Sequence, residues 1–131
     1  QAEDGIRDVE RSRGLGRQYA GLYSRDNRLA REFVAIGERC GEKVWHMPLV
    51  DDYADSLESD VADLNHNAHR GDYSAGSVTA ALYLEHFVGQ RRWVHLDIAG
   101  TGRSESDSGE NPKGGTGFGV RLLTDWILSL S

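Results

Sequence analysis

The residue pattern that most invites a chemical reading is His95-Leu96-Asp97, which places an imidazole and a carboxylate on one face of a strand. That spacing can serve a metal or an acid–base pair. A catalytic zinc asks for three protein ligands, and no third stands beside these two in sequence. The competing reading is a strand-end pair tied by hydrogen bonds to loop backbone. His66 and His69 lie in a polar loop and read as solvent-exposed. Asp51, Asp52, Asp55, Glu58, Asp60 and Asp63 offer oxygen ligands. They lack the glycine and bidentate glutamate of a calcium loop, so they read as a solvated face. The run from Lys113 to Gly119, KGGTGFG, precedes a helix and suggests a phosphate cradle, but it lacks the Gly-Lys-Ser/Thr ending of a P-loop. Ser, His and Asp are present without a G-x-S-x-G elbow. Read from residues alone, these constellations form no complete active site.

The elements that must position them follow from periodicity. Ala20 to Tyr23 reads as a strand. Ser24 and Asp26 can cap a following helix, on which Leu29, Phe33, Ile36 and Cys40 recur at helical spacing before Gly41 stops it. Val44 to Leu49 is extended, Asp51 to Leu57 is a short acidic helix or turn, and Ser59 to Asn65 leads into the polar loop NHNAHRGDYS. Ser77 to Val88 is apolar nearly all round, which predicts a helix buried on most sides that anchors the core. Each large side chain there is worth about 1.5–3 kcal/mol when buried. In Trp93 to Ile98, Val94, Leu96 and Ile98 alternate with Trp93, His95 and Asp97. Gly100 to Gly119 is a Gly/Ser-rich loop, and Phe118 to Leu130 an amphipathic helix. Alternation of strands and helices predicts an α/β fold with helices packed on a sheet.

Composition bounds the function class. The 131 residues make one domain, with 38% hydrophobic and 27% charged content, as in soluble globular chains. A net charge of -6 argues against broad nucleic-acid affinity, because phosphate neutralisation needs a Lys/Arg surplus. No apolar run reaches the roughly 18 residues of a membrane span, and no signal-peptide pattern is seen. Cys40 is the lone cysteine, so no internal disulfide forms and a cytoplasmic setting is expected.

The segment 1–18 stands apart. QAEDGIRD back-translates to a string resembling a short-read flow-cell adapter, and SRGLG to the transposase adapter that follows it. We therefore expect 1–18 to be a non-native tail and 19–131 to be the domain.

Three segments, in order and with matching spacing, resemble one family. GEKVWHMPLVDDY (Gly41 to Tyr53) with SDVADLN (Ser59 to Asn65) is the first, and SAGSVTAALYLEHFVG (Ser74 to Gly89) the second. WVHLDIAGT (Trp93 to Thr101) with KGGTGFGVRLL (Lys113 to Leu123) is the third. Together they resemble the C-terminal part of the leucyl aminopeptidase catalytic domain, across essentially all of 19–131. The resemblance implies a partial three-layer α/β/α domain from a two-metal exopeptidase that releases N-terminal residues from peptides. It implies a parent that uses two zinc or manganese ions, acts on peptides and assembles as a hexamer, while charge and hydropathy lead us to expect no nucleic-acid or membrane partner.

The family's metal ligands, catalytic lysine and arginine lie at and before an NTDAEGR motif that is absent here. The resemblance thus assigns no catalytic residue and no metal to this chain. It places Ala99 and Gly102 at positions walling the pocket for the substrate's first side chain, with His95, Asp97, Gly100 and Thr101 supporting that turn. Gly102-Arg103 departs from the larger residues common there, and the loops HNAHRGDYSAG and SESDSGENP also depart from the family pattern. The chain alone is expected to be inactive. The alternative is a non-enzymatic truncated relative acting as a structural or oligomerisation module.

Overall fold

A computed structural model describes residues 15–57 and 76–131. Ser59 to Asn65, the loop after it with His66 and His69, and Glu58, Asp60 and Asp63 of the acidic cluster lie outside the described residues. The elements are β1 (Ala20–Tyr23), α1 (Asn27–Cys40), β2 (Val44–His46), a 3-10 helix (Asp51–Leu57), α2 (Gly76–Glu85), β3 (His95–Asp97), β4 (Arg103–Ser104), β5 (Gly114–Gly115) and α3 (Val120–Ser129).

β1 is the central strand of a three-stranded sheet ordered β2-β1-β3. It runs parallel to β2, with Ala20 opposite Val44, and antiparallel to β3, with Gly21 opposite Asp97 and Tyr23 opposite His95. All four of its residues are buried. Gly21 sits where the strands crowd, since a Cβ there would stand 3.3 Å from the Tyr23 ring and 3.5 Å from the Asp97 Cβ.

α1 begins and ends as its sequence dictates. Asp26, in extended conformation, accepts the Leu29 amide at 3.0 Å. Gly41 ends the helix at φ 82, a left-handed value that disfavours any side chain, and its N–H returns to the Gly37 carbonyl. The Leu29 amide and then the Arg92 guanidinium hold the Asp26 carboxyl below the usual carboxylate range. Ser24, the other capping candidate, instead donates to the Trp93 carbonyl at 2.6 Å and so ties β1 to the approach to β3.

The pleat sorts the two faces of the sheet. Ala20, Leu22 and Val44 join Leu29, Ala30, Phe33 and Ile36 of α1 and Leu122 of α3 in one core, with Leu96 and Val94 packed against it. The opposite face carries Gly21, Tyr23, His95 and Asp97, and there Tyr23 meets α2 through a 2.7 Å hydrogen bond to the Ser77 hydroxyl. Helices on both sides of a sheet make this part of a three-layer α/β/α domain.

That sorting corrects the expectation for the Ser77 to Val88 helix. Only Thr79, Ala81 and Leu82 of α2 are buried, while Leu84 and Phe87 are 42% and 66% exposed. The sheet face toward α2 is small and polar, so it offers little apolar surface to bury. α1 anchors the core instead. α3 forms the amphipathic helix that its sequence suggests, but much of its apolar surface stays uncovered. It buries Leu122 and rests Trp126 on Phe33, while Val120, Leu123, Ile127, Leu128 and Leu130 are 42% to 66% exposed.

Candidate functional site

β3 feeds directly into the turn that carries the candidate pocket residues. The Asp97 carboxylate accepts the Ala99 amide at 2.9 Å, an Asx-type contact that bends the chain as it leaves the strand. The Ile98 carbonyl then accepts both the Thr101 amide, at 3.1 Å, and the Gly102 amide, at 2.8 Å. Asp97 is thus occupied by backbone, in the manner of the competing strand-end reading.

His95 is held by aromatic neighbours. Its ring stacks on Trp93 with centroids 6.2 Å apart and lies 5.9 Å from the ring of Tyr23. Burial keeps its imidazole below the usual histidine range, and the nearby Asp97 charge pulls the other way. Burial likewise pushes the Tyr23 phenol up, against its hydrogen bond to Ser77. His95 and Asp97 share a face, but each is engaged in supporting contacts rather than aimed at a common point. Among the described residues, no three His, Cys, Asp or Glu side chains gather as a metal site would require.

The turn is clamped from three sides. Below it, Gly100 packs against the backbone of Gly16 so closely that a Cβ on Gly100 would stand 2.0 Å from the Gly16 carbonyl oxygen. Across it, the Thr116 hydroxyl donates to the Thr101 carbonyl at 2.6 Å, and the Thr116 amide donates to the Gly102 carbonyl at 3.1 Å. Beyond it, Arg103–Ser104 pairs antiparallel with Gly114–Gly115, so the Gly/Ser-rich loop contains a small hairpin. Thr101 is buried, and its hydroxyl finds no hydrogen-bond partner among the described residues. Ala99 is exposed and Gly102 half-buried. A Cβ on Gly102 would meet the Ile98 carbonyl at 3.0 Å and the Ile98 side chain at 3.3 Å, so glycine lets the turn close tightly.

The residue that sequence reading missed is Glu42. It is only 4% exposed, and one carboxylate oxygen accepts the amides of Gly119 and Leu122, each at 2.9 Å. Those are the orphan donors at the start of α3, whose own cap position, Gly119, has no side chain to offer. The phosphate-cradle reading of KGGTGFG fails for this reason, because an internal carboxylate occupies the helix terminus. A signal did exist: a helix opening on Phe118-Gly119 needs its acceptor from elsewhere.

Acidic Asp51 is also accounted for. Arg25 bridges it to Glu85, and this pairing holds the Asp51 carboxyl below its usual range. No helix among the described residues is long and apolar enough to cross a membrane.

Comparison with known proteins converges on one group. The sequence profile of the cytosol aminopeptidase family, catalytic domain, matches residues 10–124. A protein of Chlorobium phaeobacteroides named probable cytosol aminopeptidase is 54% identical over 114 residues, covering 86% of this chain and 22% of the relative. A protein of the same name from Synechococcus sp. (strain JA-3-3Ab) is 46% identical over 115 residues, 88% of this chain and 22% of its own length. Among solved structures, the bottromycin maturation enzyme BotP in complex with Mn superposes with a TM-score of 0.79 at 37% identity. That match covers 88% of this chain and 25% of that one. The chain therefore spans between a fifth and a quarter of the length of the curated relatives it matches.

Proposed function

Because this chain belongs to the cytosol aminopeptidase family, a family of hydrolases, we propose that it is the C-terminal portion of a leucyl aminopeptidase-like metalloexopeptidase. In this reading the parent releases N-terminal residues from peptides in the cytoplasm, and this portion supplies the wall of the pocket that receives the first side chain. The observation that carries the reading is the Ile98–Gly102 turn. It is fixed at the end of β3 by Asp97, Thr116 and Gly16, and it leaves Ala99 exposed and Gly102 without a side chain.

The parent is proposed to use two divalent metal ions, zinc or manganese, a reading favoured by the Mn in the BotP complex. Such ions would polarise the scissile carbonyl and activate water. In this reading the ligands lie elsewhere in the parent, which is supported by the engagement of the candidate donors here. His95 lies between Trp93 and Tyr23, Asp97 is spent on the Ala99 amide, and Asp51 on Arg25. The chain by itself is accordingly expected to release no p-nitroaniline from leucine p-nitroanilide with Zn2+ or Mn2+ added. Metal-dependent, chelator-sensitive release by the pure chain would overturn that part of the reading.

The pocket role is testable where the missing machinery is supplied. Residues 19–131 can replace the matching segment of the Chlorobium phaeobacteroides relative. In that chimera Gly102→Met should change the preference between leucine and alanine p-nitroanilides by about tenfold or more, since a methylene-sized change in an apolar pocket shifts discrimination by roughly 10–200-fold. An unchanged ratio of kcat/KM values would remove Gly102 from the pocket.

The exposed apolar residues of α3 favour a second reading, a structural or oligomerisation module that is not itself an enzyme. They also suit the hexamer proposed for the parent. A chain that sediments as a monomer at high concentration would count against the module. For the segment before residue 19, the reading is a non-native, adapter-derived tail over residues 1–18, set against a family match that begins at residue 10. Sequencing the source DNA upstream of the Tyr19 codon decides it.

A further inference from the structure

We propose that Glu42 is a positioning residue for the pocket turn, acting on Ala99 and Gly102 through the start of α3 and Thr116. The proposal rests on the reading of that turn as a substrate wall. Its physical basis is a chain of short contacts between segments far apart in sequence.

The first link is the seating of Glu42 itself. A Cβ on Gly37 would stand 2.7 Å from the Glu42 carbonyl oxygen, so the Glu42 main chain lies directly against α1. The next residue, Lys43, accepts the Ala20 amide at 3.1 Å, which pins the same stretch to the central strand. Glu42 thus emerges from main chain held against both α1 and β1. The second link is its carboxylate. One oxygen takes the Gly119 and Leu122 amides, and the other faces the Arg121 guanidinium at 3.4 Å. Charge-assisted bonds to backbone amides at a helix N-terminus are directional and strong, and here they are shielded from water. They fix where α3 begins.

The third link runs backwards from that point. The Phe118 amide donates to the Thr116 hydroxyl at 3.2 Å, and that hydroxyl donates to the Thr101 carbonyl. The Thr116 amide closes on the Gly102 carbonyl. Only Phe118, Gly117 and Thr116 therefore stand between the Glu42-bound Gly119 amide and the pocket turn, and the contacts between are continuous. Arg121 is held on its other side by exposed Glu110, a pair that serves as an internal control because it touches α3 without touching the turn.

The test is amide hydrogen exchange on the full 131-residue chain, followed by NMR. Glu42→Ala should speed exchange at Gly119, Leu122, Thr116 and Gly102 by at least tenfold, while the Ala30 amide in α1 and the β1 amides change less than twofold. Glu42→Gln keeps an acceptor oxygen in place and should restore most of the protection at Thr116 and Gly102. Glu110→Gln should leave both undisturbed. If Glu42→Ala loosens all amides together, the Gln variant decides. Selective recovery of the turn supports the proposal, and uniform loosening there as well overturns it. Unchanged exchange at Thr116 and Gly102 in Glu42→Ala overturns it too. The coupling is read without activity, so it can hold even if Gly102→Met leaves substrate preference unmoved, and the two failures are distinguishable.

Discussion

Phe33→Ala is expected to remove about 3–5 kcal/mol of the chain's folding stability. Phe33 is 2% exposed and lies at the centre of the core, between the sheet residues Leu22 and Val44 and the ring of Trp126, whose centroid is 5.1 Å away. Removing a buried phenyl costs about 3–5 kcal/mol, from lost transfer energy and the cavity left behind. Whole domains are stable by only about 5–15 kcal/mol. The loss is aggravated because α3 leans on α1 mainly through this ring and the fully buried Leu122. Urea titration should show a midpoint displaced to low denaturant with an unchanged slope. Trp126→Phe is the informative comparison. The Trp126 indole N–H is buried with no acceptor among the described residues, so deleting it removes a cost together with some packing. It should therefore be far milder. If Phe33→Ala cost less than about 1 kcal/mol, the α1–α3 layer would not be where the stability resides.

Among the described glycines, Gly100→Ala should be the most damaging substitution by alanine. A Cβ there would fall 2.0 Å from the carbonyl oxygen of Gly16, and both partners are main chain, so neither can rotate away. Overpacking of this kind costs about 1–3 kcal/mol and sometimes more. Gly41→Ala offers a contrast, since no atom lies within 4 Å of its Cβ position and only the left-handed φ is at stake. A second construction locates the cause. In a chain shortened to begin at Tyr19, Gly100→Ala should cost markedly less, because its clashing partner is gone. Two mutations that share a contact are non-additive in this way. Equal costs in both backgrounds would mean that the Gly100 restriction comes from the turn itself.

Local elements were legible because their signals are local. Asp26, the spacing of Leu29, Phe33 and Ile36, and Gly41 delimit α1 within one stretch of chain, and α1 spans the range between those caps. The strands at Ala20 and His95 and the helix after Gly119 could be read in the same way. The sheet order could not. Nothing in Ala20 to Tyr23 says that its neighbours are Val44 and Asp97, since pairing is decided by segments that meet only in three dimensions. α2 misled for a related reason: an apolar helix is buried only as far as the surface opposite it allows, and that surface carries Tyr23, His95 and Asp97. The candidate pocket turn was suggested by family resemblance rather than by periodicity. Glu42 could not be singled out by either route, because the uncapped start of α3 calls for an acceptor without saying which residue supplies it. A lone glutamate beside a lysine looks solvated until α3 arrives to be capped.

The place of β1 in the sheet also sets a timetable. β1, α1 and β2 are contiguous and can assemble as soon as they leave the ribosome, but the other edge of β1 must wait for His95 to Asp97. About fifty residues intervene, on the order of 3–10 s of synthesis at roughly 5–20 residues per second. Throughout that interval the nascent chain presents an unpaired, buried-type strand edge, the feature most prone to pair with the wrong molecule. Chains made close together on one messenger would meet in that state, so slowing initiation or supplying a chaperone during synthesis should raise the soluble yield more than any change made after release.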